Sequence, residues 1–99
     1  MNEHKLRGAM GLAMKSGNCR AGDVAVTDAI KSAKAKLVLI DYRASENTKK
    51  RVFDMCAYRG VECISAENVA EAIGRSGVIV AAVTDDSFAR MIKAAHGEL

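Results

Sequence analysis

Two uninterrupted apolar runs, at residues 37–40 and 78–83, constrain the fold more than any other feature of this sequence. Each run has the length of one β-strand and lacks alternating polar residues, which is typical of a strand covered on both faces. Segments with the apolar spacing of helices lie before, between and after the runs. The pattern predicts an α/β fold, specifically a three-layer α/β/α sandwich with helices on both faces of a small mixed sheet.

Turn and capping residues divide the chain into five predicted helices and a further short strand. We expect helices from an Asn2 cap to a stop at Ser16–Gly17, from Gly22–Asp23 past Ile30, from a Ser45 cap to Gly60, from a Ser65 cap to Gly74, and from Thr84 or Asp85 to Ala95. The further strand is expected at residues 61–64, and residues 18–21 form a short connecting segment. Helical spacing predicts that Phe53 and Met91 face inward.

The length of 99 residues predicts one domain spanning residues 1–99, because a second hydrophobic core would not fit.

The net charge of +3 is unevenly distributed. Residues 1–51 contain eleven Lys and Arg against five Asp and Glu, whereas residues 52–99 contain four against seven. A basic first half favours an anionic partner, with nucleic acid preferred over a membrane because no basic amphipathic stripe is present. A merely solvated basic surface is the alternative.

No set of residues in the sequence predicts catalysis or a cofactor. His4 and His96 lie at the two ends of the chain without a Cys, Ser or Asp at meaningful spacing, and we expect both to be solvated. The pair Asp85–Asp86 opens a helix, where carboxylates stabilise the N-terminus. Residues 74–77 do not form a known phosphate-binding motif. We therefore expect neither enzymatic activity nor a bound cofactor or metal ion.

The three cysteines do not have the spacing of a metal site or a disulfide framework. Cys56 and Cys63 fall at positions where buried apolar residues are expected, whereas Cys19 is predicted to be exposed and open to oxidation. This usage fits a reducing compartment, and no signal peptide or membrane-spanning run is recognisable. We expect a cytoplasmic protein.

The segment around Gly22 is the strongest candidate for binding an anionic partner. The helix that opens at Gly22–Asp23 offers free backbone N–H groups to a phosphate, and Gly22 lets a nucleic-acid backbone approach closely. Arg20, Lys31 and Lys49 add positive charge along the same half of the chain. Because Tyr42 and Tyr58 are isolated, no aromatic platform for single-stranded bases is predicted. A protein that recognises the shape of structured RNA fits better.

The whole chain resembles a known family over about residues 5–95. The residues that carry the resemblance occur in the family's order and spacing; they are Gly11–Gly17, Gly22, Lys34–Ile40, Ala44–Lys50 and Gly60–Ile64. They are similar to the ribosomal protein superfamily of the archaeal large-subunit protein seven-Ae and the eukaryotic protein thirty-e, in its small bacterial YlxQ-like branch. The resemblance implies an α/β/α sandwich and, for many members, binding to kink-turn RNA.

The family's Gly-x-Asn-Glu signature is only partly present. Gly22 matches it, but Val24 and Ala25 replace the polar pair and cannot form hydrogen bonds to base edges with their side chains. The family's downstream Lys is also replaced, by Asp28, whereas Thr27 agrees. The positions that face phosphates in the family match better; they are Arg20, Gly22, Lys49 and the Ile64–Ser65 loop.

The RNA contacts that we expect from the residues and the resemblance together are Arg20, Gly22, Asp23, Val24, Lys31, Ser45, Lys49, Ile64 and Ser65, with Ile64 and Ser65 flanking an extruded base. The expected function is a monomeric, non-enzymatic, ribosome- or translation-associated protein that binds structured, kink-turn-like RNA, including ribosomal RNA, and neither DNA nor a membrane. The alternative is a protein-binding adaptor that keeps the fold without the RNA signature.

Overall fold

The structure is a computed structural model that describes residues 2–97, with the side chains described from residue 4 onward. Within these residues, helices and strands alternate in the order α1 (Asn2–Lys15), β1 (Cys19–Ala21), α2 (Asp23–Lys31), β2 (Leu37–Asp41), α3 (Glu46–Arg59), β3 (Glu62–Ala66), α4 (Val69–Ile73), β4 (Val80–Val83) and α5 (Asp86–Gly97). The strands form one sheet in the order β1-β4-β2-β3. Strands β2 and β3 pair in parallel, and β4 is antiparallel to both of its neighbours.

Alternate residues of the two central strands enter separate core clusters on the two faces of the sheet. Leu37 and Leu39 pack with α1, α4 and α5, whereas Val38 and Ile40 pack with α2 and α3. Every residue of β2 and β4 is therefore buried. This arrangement confirms the predicted three-layer α/β/α sandwich with a mixed sheet, and it explains why the apolar runs are uninterrupted.

The candidate site is built on one side of the sheet, where one end of each of the four strands lies. We call this the upper edge; it contains Ala21, Asp41 and Ala66 at the carboxyl ends of β1, β2 and β3, and Val80 at the start of β4. Helices α2 and α3 both begin close to this edge, because each follows the upper end of a strand after a short connection. The opposite end is the lower edge.

Several local predictions are wrong. Ser65 does not cap a helix, because it lies within β3, and α4 starts only after Asn68, whose backbone is left-handed with φ of 56°. Phe53 and Met91 are exposed rather than inward-facing. Cys19 is only 6% exposed because it lies in β1 against the α1, α4 and α5 layer.

Other local predictions are confirmed or need adjustment. Ser45 and Gly60 cap α3 as predicted. Asp85 caps the last helix, where its Oδ2 accepts the Phe88 N–H at 2.9 Å. His96 is not free in solvent, because its Nε2 lies 2.9 Å from the Ser65 carbonyl oxygen on the edge strand β3.

Candidate nucleic-acid interface

Backbone hydrogen bonds bring four distant chain segments together at the upper edge. The Gly22 N–H donates to the Val80 carbonyl at 3.0 Å, and the Asp41 N–H donates to the Ile79 carbonyl at 2.7 Å. The Tyr42 N–H donates to the Ala66 carbonyl at 3.1 Å. As a result, the start of α2, the connection from β2 to α3, the end of β3 and the loop before β4 form one continuous surface.

The first turn of α2 offers unpaired backbone donors to this surface. Gly22 precedes the helix with φ of 94° and provides no side-chain cap. The first intrahelical bond is formed by the Val26 N–H, so the N–H groups of residues 23–25 have no acceptor within residues 2–97. Orphan N–H groups at a helix N-terminus, together with the positive end of the helix dipole, favour an anion.

The positive φ of Gly22 explains why glycine occupies this position. A Cβ built there would meet no atom within 4 Å, so crowding by the protein itself does not select glycine. A side chain at φ of 94° would strain the backbone and would also project at the point where a ligand reaches the free N–H groups.

Two exposed arginines lie in the chain segments that lead to Gly22 and to Val80, the two residues that a backbone hydrogen bond joins at the upper edge. Arg20 lies in β1, two residues before Gly22, and Arg75 lies in the loop before β4. Within the described part of the chain, neither guanidinium forms an ion pair. Arg75 is close enough to Cys19 for its charge to oppose the effect of burial, which raises the pKa of that thiol to about 11. Both cations are therefore near β1 and available to a phosphate.

Asp23 and Val24, the first two residues of α2, differ in their availability. Asp23 Oδ2 accepts from Arg51 Nη2 of α3 at 2.7 Å, so its carboxylate is neutralised while its backbone N–H stays free. Val24 is 87% exposed and presents an apolar surface beside these donors. The Asp23–Arg51 pair also joins the two helices that begin at the upper edge.

Ser45 and Lys49 lie in the first turn of α3. The Ser45 Oγ accepts the Thr48 N–H at 3.1 Å and donates to Thr48 Oγ1 at 2.9 Å, so the hydroxyl is already used as a helix cap. The Lys49 Nζ lies 3.5 Å from Glu46 Oε2. Ser45 thus has a structural role. Lys49 can pair with a phosphate only after its ammonium leaves the Glu46 carboxylate.

The structure does not bring Lys31, Ile64 and Ser65 to the start of α2. Lys31 ends α2, about 12 Å along the helix from Asp23 at 1.5 Å per residue. Ile64 and Ser65 lie in β3, with β2 and β4 between them and β1. Ile64 is half-buried against the α1, α4 and α5 layer, and the Ser65 carbonyl contacts His96.

A cleft beside the loop before β4 was missed by sequence reasoning. It has a volume of about 600 Å³, and its lining residues are Arg43, Ala70, Glu71, Gly74, Arg75, Ser76, Gly77, Val78 and Ile79. Gly74 and Gly77 both have positive φ, at 74° and 78°. The two glycines around Arg75, between a helix and a buried strand, are a sequence signal that could have indicated this loop, but only the backbone bond from Gly22 to Val80 shows that the end of the loop adjoins Gly22.

A buried carboxylate fixes the connection between β2 and α3. Arg43 donates from Nε to Asp41 Oδ1 and from Nη2 to Oδ2, both at 3.0 Å. The backbone N–H groups of Arg43 and Val69 also donate to this carboxylate. The hydrogen bonds from Arg43 outweigh the effect of burial and lower the pKa of Asp41 to about 2. Asp41 therefore orients two loops of the surface.

Other kinds of site are not found in the described part of the chain. Within residues 2–97, no three or more His, Cys, Asp or Glu side chains are arranged to hold a metal ion. No helix in that range is both long enough and apolar enough to cross a membrane. The fold and the site together define a small α/β/α protein with a loop-built, partly basic surface suited to a phosphate-bearing partner.

Comparison with known proteins agrees with this class. The chain belongs to the ribosomal protein L7Ae/L30e/S12e/Gadd45 family, whose sequence profile matches residues 4–92. It is 38% identical over 86 residues to the RNA-binding protein YlxQ of Bacillus subtilis, a match that covers 84% of this chain and 86% of the relative. It is 35% identical over 95 residues to the RNA-binding protein YlxQ of Enterococcus faecium, covering 93% and 91%. These relatives support the YlxQ-like branch.

A solved structure shows the same fold. A protein of unknown function from Bacillus halodurans C superposes with a TM-score of 0.87 at 26% sequence identity, covering 92% of this chain and 95% of that one. The family resemblance inferred from the sequence is therefore confirmed.

Proposed function

We propose that this protein is a non-enzymatic RNA-binding protein of the translation machinery that recognises structured, kink-turn-like RNA through its upper edge. The observation that carries the proposal is the uncapped start of α2, whose three free N–H groups follow Arg20 in the chain and adjoin the β4 start through the Gly22–Val80 hydrogen bond. Two relatives that cover most of the chain bear the name RNA-binding protein. The protein acts as a monomer in this proposal.

Each part of the surface has a distinct role in the proposed complex. The N–H groups of residues 23–25 receive one phosphate, and Arg20 and Arg75 neutralise its neighbours. The exposed side chain of Val24 contacts sugar or base without reading sequence, because it has no hydrogen-bonding atoms. The cleft beside residues 74–79 is open to a nucleotide that leaves the helical stack.

The same geometry limits the residues that touch one RNA segment. Lys31 belongs to the lower edge, and Ile64 faces the core, so neither contributes in this proposal. Lys49 contributes when its ammonium leaves Glu46 for a phosphate. With only a few cations at the upper edge, the protein recognises the shape of an RNA rather than coating it.

A charge reversal tests the proposal. We expect Arg20→Glu to weaken binding to an RNA hairpin with a bulge beside tandem G·A pairs, measured by fluorescence anisotropy. The slope of log K against log salt becomes shallower by about 0.7–0.9 for each phosphate that the variant no longer neutralises. Lys34→Glu is the matched control, because Lys34 is exposed and lies in the connection from α2 to the lower end of β2. Equal affinities and slopes for both variants would remove the upper edge as the RNA surface.

A second candidate function is a protein-binding adaptor. It is favoured by Val24, which is highly exposed, apolar, and located where the family signature has a polar residue. The two functions predict different contents of the purified protein. An RNA-binding protein retains RNA, seen as absorbance at 260 nm that ribonuclease removes, whereas an adaptor retains protein partners after ribonuclease treatment.

A further inference from the structure

The strongest feature outside the phosphate surface is a small cleft beside Tyr42. It has a volume of about 230 Å³ and is lined by Asp41, Tyr42, Arg43, Glu67 and Asn68. This is below the roughly 300–1,000 Å³ of typical small-molecule pockets, so the cleft suits one planar ring. The Tyr42 side chain is 56% exposed, although its backbone is fixed by the hydrogen bond to Ala66.

The charges around this cleft do not favour a phosphate. The Asp41 carboxylate already neutralises Arg43, through both of its oxygens. Glu67 then adds an exposed negative charge. An anion would be repelled, whereas a neutral aromatic group would not. The cleft therefore differs in chemistry from the start of α2, although the two lie on the same edge of the sheet.

Asn68 supplies hydrogen-bonding atoms at the border of the cleft. It occupies the N-cap position of α4 but forms no capping bond, and its left-handed backbone has φ of 56°. Within residues 2–97 its side-chain amide has no partner. An amide can both donate to and accept from the edge of a nucleobase.

We infer that Tyr42 stacks on one unpaired nucleobase of the bound RNA and that the Asn68 amide hydrogen-bonds to the edge of that base. This inference rests on the proposed function and adds a base-recognition site to its phosphate contacts. A single stacked base is compatible with recognition of RNA shape, because it needs no row of aromatic residues. The site gives the protein a means of reading a base that Val24 and Ala25 do not supply.

Tyrosine fluorescence provides a direct test, because the chain contains two Tyr and no Trp. Tyr58→Phe leaves Tyr42 as the emitter, and Tyr42→Phe leaves Tyr58, which is 86% exposed near the far end of α3. On titration with the bulged RNA hairpin, we expect the emission of Tyr42 to be quenched and that of Tyr58 to fall only by RNA absorption. Equal quenching of both would overturn the inference.

Affinity measurements distinguish this inference from the proposed function. We expect Tyr42→Ala to weaken binding about five- to 150-fold, the range that removal of one stacked aromatic produces. Tyr42→Phe keeps the ring and should bind normally, as should the control Tyr58→Ala. If the RNA binds but Tyr42→Ala, shown to be folded by circular dichroism, binds equally well, the stacking site is wrong and the proposed function stands. If the wild-type protein binds no structured RNA, both are wrong.

Discussion

The carboxylate of Asp41 is 1% exposed, yet it lies one residue from the solvent-facing ring of Tyr42. Its oxygens accept hydrogen bonds from the Arg43 guanidinium and from the backbone of Arg43 and Val69. A buried charge is tolerated only when it is paired and hydrogen-bonded, and here the partners come from two loops. Because its hydrogen-bond partners come from both loops, the buried carboxylate fixes the positions of these loops at the upper edge.

Asp41→Asn is expected to destabilise the protein by about 1.5–3 kcal/mol at pH 7, because hydrogen bonds to a charged group are removed. The pKa of Asp41 is about 2 in the folded protein against its ordinary 3.8, so the unfolded state takes up the proton first as the pH falls. The stabilisation is complete above about pH 5 and is lost as the pH falls from about 4 to about 2. Urea unfolding at pH 7 and pH 3 measures the difference.

The comparison of wild type with Asp41→Asn removes the contribution of other carboxylates, which titrate in both proteins. The difference in unfolding free energy should therefore be smaller at pH 3 than at pH 7. A difference that does not change with pH would show that the charge of Asp41 contributes nothing to stability.

Cys19 shows where residue-level prediction fails. A cysteine beside an arginine in a short polar segment gave no sign of burial, since the local sequence has no apolar periodicity. Its burial arises from pairing with Val83 of β4 and from the helical layer above it. Val83, α4 and α5 are distant in sequence, so tertiary structure determines the environment of this thiol.

Among the elements, α3 was predicted most completely, because its boundaries depend on local chemistry. Ser45 accepts the Thr48 N–H at its start, and Gly60 ends it in the left-handed conformation with φ of 71°. Strand β1 was not predicted, because three residues are too short for a periodic pattern and become a strand only beside β4. The loop before β4 likewise acquires its place beside Gly22 through sheet pairing.

Ser45→Ala is expected to lower the free energy of unfolding by about 1 kcal/mol, because the cap of α3 is removed. Ser45→Asp retains a capping oxygen and adds a charge that the helix dipole favours, so its stability should be close to that of wild type. Urea denaturation of both variants measures these changes.

The Asp variant also probes the proposed interface, because the new charge would lie near bound phosphates. We expect Ser45→Asp to be more stable than Ser45→Ala and yet to bind RNA more weakly. If the two variants bind RNA equally well, the start of α3 does not face the RNA.

At the scale of the whole molecule, the sheet separates two core clusters that share no side chain. Ile92 of α5 is fully buried on one face, and Ile30 of α2 is fully buried on the other. This division follows from the two apolar runs, so the layered architecture was predictable even where individual helix faces, such as that of Phe53, were not.

We expect Ile30→Val and Ile92→Val to destabilise the protein by about 0.5–1.5 kcal/mol each, through removal of one buried methylene. Because the two sites lie in different clusters, the double variant should show the sum of both effects to within about 0.5 kcal/mol. Chemical denaturation of the four proteins measures this cycle. A larger coupling would indicate that the strands transmit packing changes across the sheet.

Helices α2 and α3 both begin at the upper edge, and this shared direction has a consequence for the rate at which a partner arrives. Their positive ends add to the fields of Arg20 and Arg75, while the carboxyl ends of both helices lie toward the lower edge. A polyanion that diffuses toward the protein is therefore expected to be turned toward the upper edge before contact. Such steering raises the association rate constant at low ionic strength and fades over a Debye length of about 8 Å at physiological salt.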